Sequence, residues 1–111
     1  VLFTSCQNKK RNYYDGFDMS GHANVDDYGK DIVCASVSGA FYVAYLALCN
    51  TAGRDTIRQI IEGGHARVEI QYPSERTDAI VDGFLELLHG IKEDYPEAIS
   101  IKGDFNHEER L

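Results

Sequence analysis

His22 and Cys34 are the side chains in this sequence whose types and spacing point to chemistry. They sit in the stretch 20–38, SGHANVDDYGKDIVCASVS, with the histidine in a loop and the cysteine at the head of an apolar run. Asp31 reads as the N-cap of a helix from 32 to about 49, which makes Cys34 its third helical residue. A thiol there lies in the positive field of the helix dipole, beside unpaired backbone N–H groups. Both favour the thiolate, which is the reactive form. A histidine within reach takes the thiol's proton, giving a nucleophile with its own general base. Spacing alone makes the two a candidate dyad and no more.

The bulk numbers bound what such a dyad serves. The chain has 111 residues, enough for one domain with one modest core, read over 1–111. Hydrophobic content of 43% and charged content of 26% are those of a globular protein rather than a disordered one. Eighteen acidic residues against eleven basic ones leave a net charge of -7. That argues against direct nucleic-acid binding through a basic face and favours a basic peptide partner. Three cysteines at wide spacing, Cys6, Cys34 and Cys49, form no disulfide framework and read as reduced thiols in a cytoplasmic protein. The opening Val1-Leu2-Phe3 is too short for a signal peptide, and the apolar run 37–49 too short to span a membrane.

The elements that must position the pair follow from the pattern. Residues 1–6 read as a strand, 7–12 as a turn and 13–19 as a return strand. In that strand Tyr13, Phe17 and Met19 share one face, and Gly16 marks a bulge. The stretch 21–30 has no periodicity and reads as a loop. The helix after it is apolar nearly all round, so it is either buried on most sides or also an oligomer interface. Stretches 56–61 and 66–72 read as a hairpin, with Val68, Ile70 and Tyr72 on one face and Arg67, Glu69 and Gln71 on the other. A helix capped by Thr77 and running to about 95 buries Ile80, Phe84, Leu87, Leu88, Ile91 and Tyr95. It turns Asp82, Glu86, His89 and Glu93 to water. Gly83 and Gly90 inside it cost about 1 kcal/mol each relative to alanine, which suggests close contact with another element. A short strand at 98–102 completes the order β-β-α-β-β-α-β. The expected fold class is therefore α/β of the α+β type, a two-layer sandwich of two long helices on a mixed five-stranded sheet.

The run Ser20-Gly21-His22-Ala23, then Tyr28-Gly29-Lys30-Asp31-Ile32-Val33-Cys34-Ala35 and Val37-Ser38, strongly resembles the signature of the ribosomal-processing cysteine proteases of bacteria, the Prp family. The run Leu87-Leu88-His89-Gly90-Ile91-Lys92 with Tyr95-Pro96 is similar to that family's second helix and following turn. The resemblance implies a small cytoplasmic, homodimeric cysteine endopeptidase; from the residues themselves no cofactor is expected, and no metal, since His22, Asp31 and Cys34 lack a close ligand pair. The implied substrate is the precursor of large-subunit ribosomal protein twenty-seven, which loses a short N-terminal extension. Carried across, His22 is the catalytic histidine, Cys34 the nucleophile, and Asp31 and Ser38 supporting positions. Gly21, Ala23, Tyr28 and Gly29 belong to the loop that admits substrate. Ser36, Gly39 and the acidic Val25-Asp26-Asp27 depart from the pattern and bear on substrate preference.

Two bland readings stand beside this one. Asp31 serves equally as a plain helix cap, where its charge opposes a nearby thiolate, or as the group that orients His22. Ser38 bonds either the catalytic pair or its own helix backbone. A ribosome-associated binding module with Cys34 as a structural thiol is the main alternative function, and a thiol redox sensor a weaker one.

Overall fold

The computed structural model describes residues 2–8, 13–20, 27–63, 65–97 and 99–103, with side chains for 13–20, 33–63, 65–97 and 99–101. Five strands and two long helices follow in the order β1 (Leu2–Asn8), β2 (Tyr13–Ser20), α1 (Asp27–Ala52), β3 (Ile57–Glu62), β4 (His65–Ile70), α2 (Glu75–Asp94) and β5 (Ser100–Gly103). The strands lie side by side as β3-β4-β2-β1-β5. All neighbours are antiparallel except β1 and β5, which run parallel. The chain is thus α+β, with a small sheet and two helices. Because β2 and β3 point the same way with β4 between them, α1 crosses over β4. In the same manner α2 carries the chain from β4 to β5 across β2 and β1.

The core lies between the layers. One face of α1 supplies Val33, Val37, Phe41, Ala44 and Leu48, at the three- and four-residue spacing that aligns side chains on a helix. The sheet offers Tyr14, Phe17, Ile57, Val68 and Ile70, and α2 offers Val81, Phe84, Leu85 and Leu88. Phe17 joins the three elements, its ring 5.9 Å from Phe41 and 5.2 Å from Phe84.

In β2 the expected phase is corrected. Tyr14, not Tyr13, is buried with Phe17, three positions apart, and Tyr13 and Met19 are half-buried. The pairing register explains it. Cys6 faces Gly16 but Asn8 faces Tyr13, so β2 carries one extra residue there. This bulge turns Tyr14 to the helices. Its backbone N–H donates to the buried carboxylate of Asp78 at 2.9 Å, and its hydroxyl donates to Asp82 at 2.9 Å. Asp82, expected in water, is therefore half-buried. Gly16 is required by close approach: a Cβ there would run into the Val68 carbonyl oxygen. That oxygen is held in a strand paired on both sides. Gly16→Ala is expected to cost about 1–3 kcal/mol, as other overpacked sites do, measured by urea denaturation.

Other boundaries move for local reasons. Ser74, not Thr77, caps α2: its hydroxyl accepts from the Thr77 N–H at 3.3 Å, and the Thr77 hydroxyl accepts from the Ser74 N–H at 2.8 Å. This reciprocal capping box starts the helix three residues earlier than a cap at Thr77 would. Gly53, at φ 96, ends α1 by donating its N–H to the Cys49 carbonyl. Gln7 and Asn8 extend β1, and Tyr72 lies beyond β4, exposed. Leu87 is exposed too, and a Cβ at Gly83 or Gly90 would meet nothing within 4 Å. The expected close contact of those glycines is absent among the described residues.

Candidate functional site around Cys34

The first turn of α1 is where sequence and structure part. The helix begins at Asp27, so Asp31 is a helical residue and not the N-cap. Cys34 is the eighth helical residue, counting from Asp27, rather than the third. A single glycine at Gly29 is tolerated because its cost of about 1 kcal/mol is spread over a 26-residue helix. The consequence is electrostatic. At the eighth position the backbone N–H pairs with the preceding turn, and the dipole field has decayed. Activation of the Cys34 thiol by unpaired helix-end amides is therefore corrected. Tyr28 and Gly29 are likewise helical rather than loop residues.

Of the expected site residues, Cys34 and Ser38 have described side chains. Cys34 is half-buried, packed against the core but open to solvent on one side. Ser38, one turn on, is exposed. Asp31 lies within α1 without a described side chain, and Gly21, His22 and Ala23 lie outside the described residues. Among the described residues no three metal-ligating side chains come together.

Cys34 and Ser38 belong to a row that spacing alone did not single out. Positions 34, 38, 45 and 49 recur at steps of four and seven, which puts them on one flank of α1. The far end of the row turns toward β3. Tyr45 is held above its ordinary value of 10.0, first by a hydrogen bond with Cys49, then by partial burial and the charge of Cys49, with Arg54 working the other way. Arg54 begins the short 3-10 turn Arg54–Thr56 that leads straight into β3. α1 crosses over β4 between β2 and β3, and a right-handed crossover turns the flank that carries Cys34 toward β3 and the opposite flank, with Ala40 and Ala47, toward α2. Cys49 itself is buried, as a small core residue is expected to be.

The outer face of α1 is open rather than buried. Tyr42, Val43 and Leu46 are 51%, 67% and 47% exposed, and a Cβ at Gly39 would meet nothing within 4 Å. Of the two expectations for this helix, burial on most sides is the one overturned. The segment Val33–Ala52 is also long and apolar enough to cross a membrane by length and composition, which corrects the expectation of too short a run. In this fold one side of it is built into the core.

Comparison with known proteins places the chain in a family. The family model for cysteine protease Prp matches residues 4–100. The ribosomal processing cysteine protease Prp of Bacillus subtilis is 32% identical over 91 residues, covering 77% of this chain and 81% of that protein. Its Staphylococcus aureus counterpart is 32% identical over 85 residues, covering 75% and 80%. The crystal structure of the S. aureus protease with a covalently linked product peptide superposes with a TM-score of 0.71 at 24% identity, over 94% of this chain and 99% of that one. A Streptococcus mutans structure gives 0.72 at 25% identity, over 95% and 94%. With a half-buried cysteine on the long helix and a family match along most of its length, this chain belongs to the Prp family of ribosomal processing cysteine proteases.

Proposed function

We propose that this chain is a single-domain cysteine endopeptidase using Cys34 as nucleophile and His22 as its proton-transfer partner. The carrying observation is the placement of Cys34, half-buried on α1 and within the matched residues 4–100. The Cys34 sulfur adds to a peptide carbonyl as His22 takes its proton. The C–N bond then breaks, and His22 returns the proton to the departing amine. Water hydrolyses the resulting thioester, giving a carboxylate and restoring the thiol. The N–H at Cys34 is committed to the helix ladder, so the oxyanion takes its backbone donors from elsewhere in the chain. One such donor is worth about 2.7–4 kcal/mol of barrier. Asp31 and Ser38 support the pair from positions before and after Cys34 on α1.

The substrate we infer is the precursor of large-subunit ribosomal protein twenty-seven, trimmed of a short N-terminal extension in the cytoplasm during ribosome assembly. Support comes from the relatives, which are named ribosomal processing proteases, and from a net charge of -7 suited to a basic ribosomal protein. Incubating the precursor with the protein is expected to release one defined fragment by mass spectrometry. An intact precursor, with the protein folded and Cys34 reduced, overturns this reading in favour of a non-catalytic ribosome-associated module.

The working form we infer is a homodimer, supported by the exposed apolar face of α1 at Tyr42, Val43 and Leu46. Leu46→Glu is expected to shift the protein from dimer to monomer in analytical ultracentrifugation while its circular dichroism is unchanged. A dimer that survives the charge places the interface elsewhere.

A further inference from the structure

β3 is the outermost strand of the sheet, paired among the described residues with β4 alone. Its hydrogen-bonding phase can be read from one contact. The Gln71 N–H donates to the Thr56 carbonyl at 3.0 Å, making Thr56 and Gln71 a bonded antiparallel pair. Bonded and non-bonded pairs alternate along such a ladder. Arg58, Ile60 and Glu62 therefore bond to Glu69, Arg67 and His65, their printed partners in register. Ile57, Gln59 and Ile61 turn their N–H and C=O groups away from β4, to the open edge.

The side chains of the same three residues lie on the helix side of the sheet, since their register partners Ile70, Val68 and Ala66 pack into the core. Two of them are incompletely used by the fold. The Gln59 amide nitrogen is cut off from solvent and has no hydrogen-bond partner among the described residues. A buried donor left in that state costs stability and calls for an explanation. Ile61 is 55% exposed although it faces the helical layer. It stands at the end of β3 where β2 also ends. Cys34 lies in the first third of α1, on the flank that faces this edge.

We propose that the substrate of this protease docks as an added strand on the open edge of β3, paired to Ile57, Gln59 and Ile61, with the Gln59 amide as a positioning contact. The inference rests on Cys34 being the nucleophile. An endopeptidase must hold an extended chain across its nucleophile, and an unpaired strand edge is a ready partner for one. The row that carries Cys34 lies on the flank of α1 turned toward this edge. Alternate residues of the docked chain face the helix side, where Ile61 offers apolar contact and Gln59 a donor. The other occupant such an edge accepts is β3 of a second copy.

Residue-resolved amide exchange by NMR tests this on the whole chain bearing Cys34→Ala, with a synthetic peptide spanning the precursor's processing junction. The peptide is expected to slow exchange at Ile57, Gln59 and Ile61 at least tenfold and to leave Arg58, Ile60 and Glu62 within twofold. In the protein with Cys34 intact, Gln59→Met keeps the side-chain length and removes the amide. It is expected to raise KM about fivefold, the equivalent of one hydrogen bond, with kcat within twofold. Protection confined to other elements, or no protection at millimolar peptide, overturns the proposal. So does protection of the three amides without peptide that grows with protein concentration, which would assign the edge to a second copy. Cleavage of the peptide by the Cys34→Ala protein would instead overturn the nucleophile, and its fragments are visible in the same sample.

Discussion

Cys34→Ala is expected to abolish peptide cleavage without loss of fold. Alanine removes the sulfur that forms the thioester, and neither Ser38 nor a helix amide substitutes for it. Deleting a nucleophile in a covalent mechanism typically costs on the order of 10⁴-fold or more in kcat. His22→Ala removes only proton transfer, worth about 10²–10⁴-fold. The structural cost at position 34 is small, because the thiol is half-buried at the margin of the core. A stability change of less than about 1 kcal/mol is expected. Cys49→Ala supplies the contrast, since that thiol is buried at the far end of the same row. It is expected to lose about 1 kcal/mol and keep its turnover. Product mass and thermal melts on the two variants together separate chemistry from packing. Retained cleavage by Cys34→Ala would leave the mechanism without its nucleophile.

Phe17→Ala is expected to be the most damaging single truncation for the fold. The ring is 1% exposed and is shared between β2, α1 and α2, in an edge-on contact with Phe41 and a tilted one with Phe84. Buried Phe→Ala substitutions cost about 3–5 kcal/mol, and the aromatic pairs add to the area term. A domain of this size is stable by only about 5–15 kcal/mol, so about a fifth or more of its stability is at stake. The melting temperature should fall by at least about 12 °C, read by calorimetry. Collapse of the three elements onto the void would show as a loss under about 1 kcal/mol, and would mean Phe17 does not join the layers.

Local signals carried the family and the fold class. Ser20-Gly21-His22-Ala23 and the run through Cys34 pointed to the family, and the apolar run 37–49 to a long helix, of which the fold buries one face at Val33, Val37, Phe41, Ala44 and Leu48. Val68 and Ile70 against Arg67 and Glu69 showed a strand with two different faces, as the structure has it. Each of these is a short-range pattern of residue type, which is what side-chain period records. Three matters needed the folded chain. The start of α1 was misplaced because Asp31 is a good cap in isolation, and propagation of a long helix outweighed that preference. The phase of β2 turned on a bulge, set by Gly16 lying against the Val68 carbonyl 52 residues along the chain. The orientation of the Cys34 row toward β3 followed from the right-handed crossover of α1 above β4. Pairings between distant segments decide such things, and a periodic pattern within one segment says nothing about which neighbour that segment will meet.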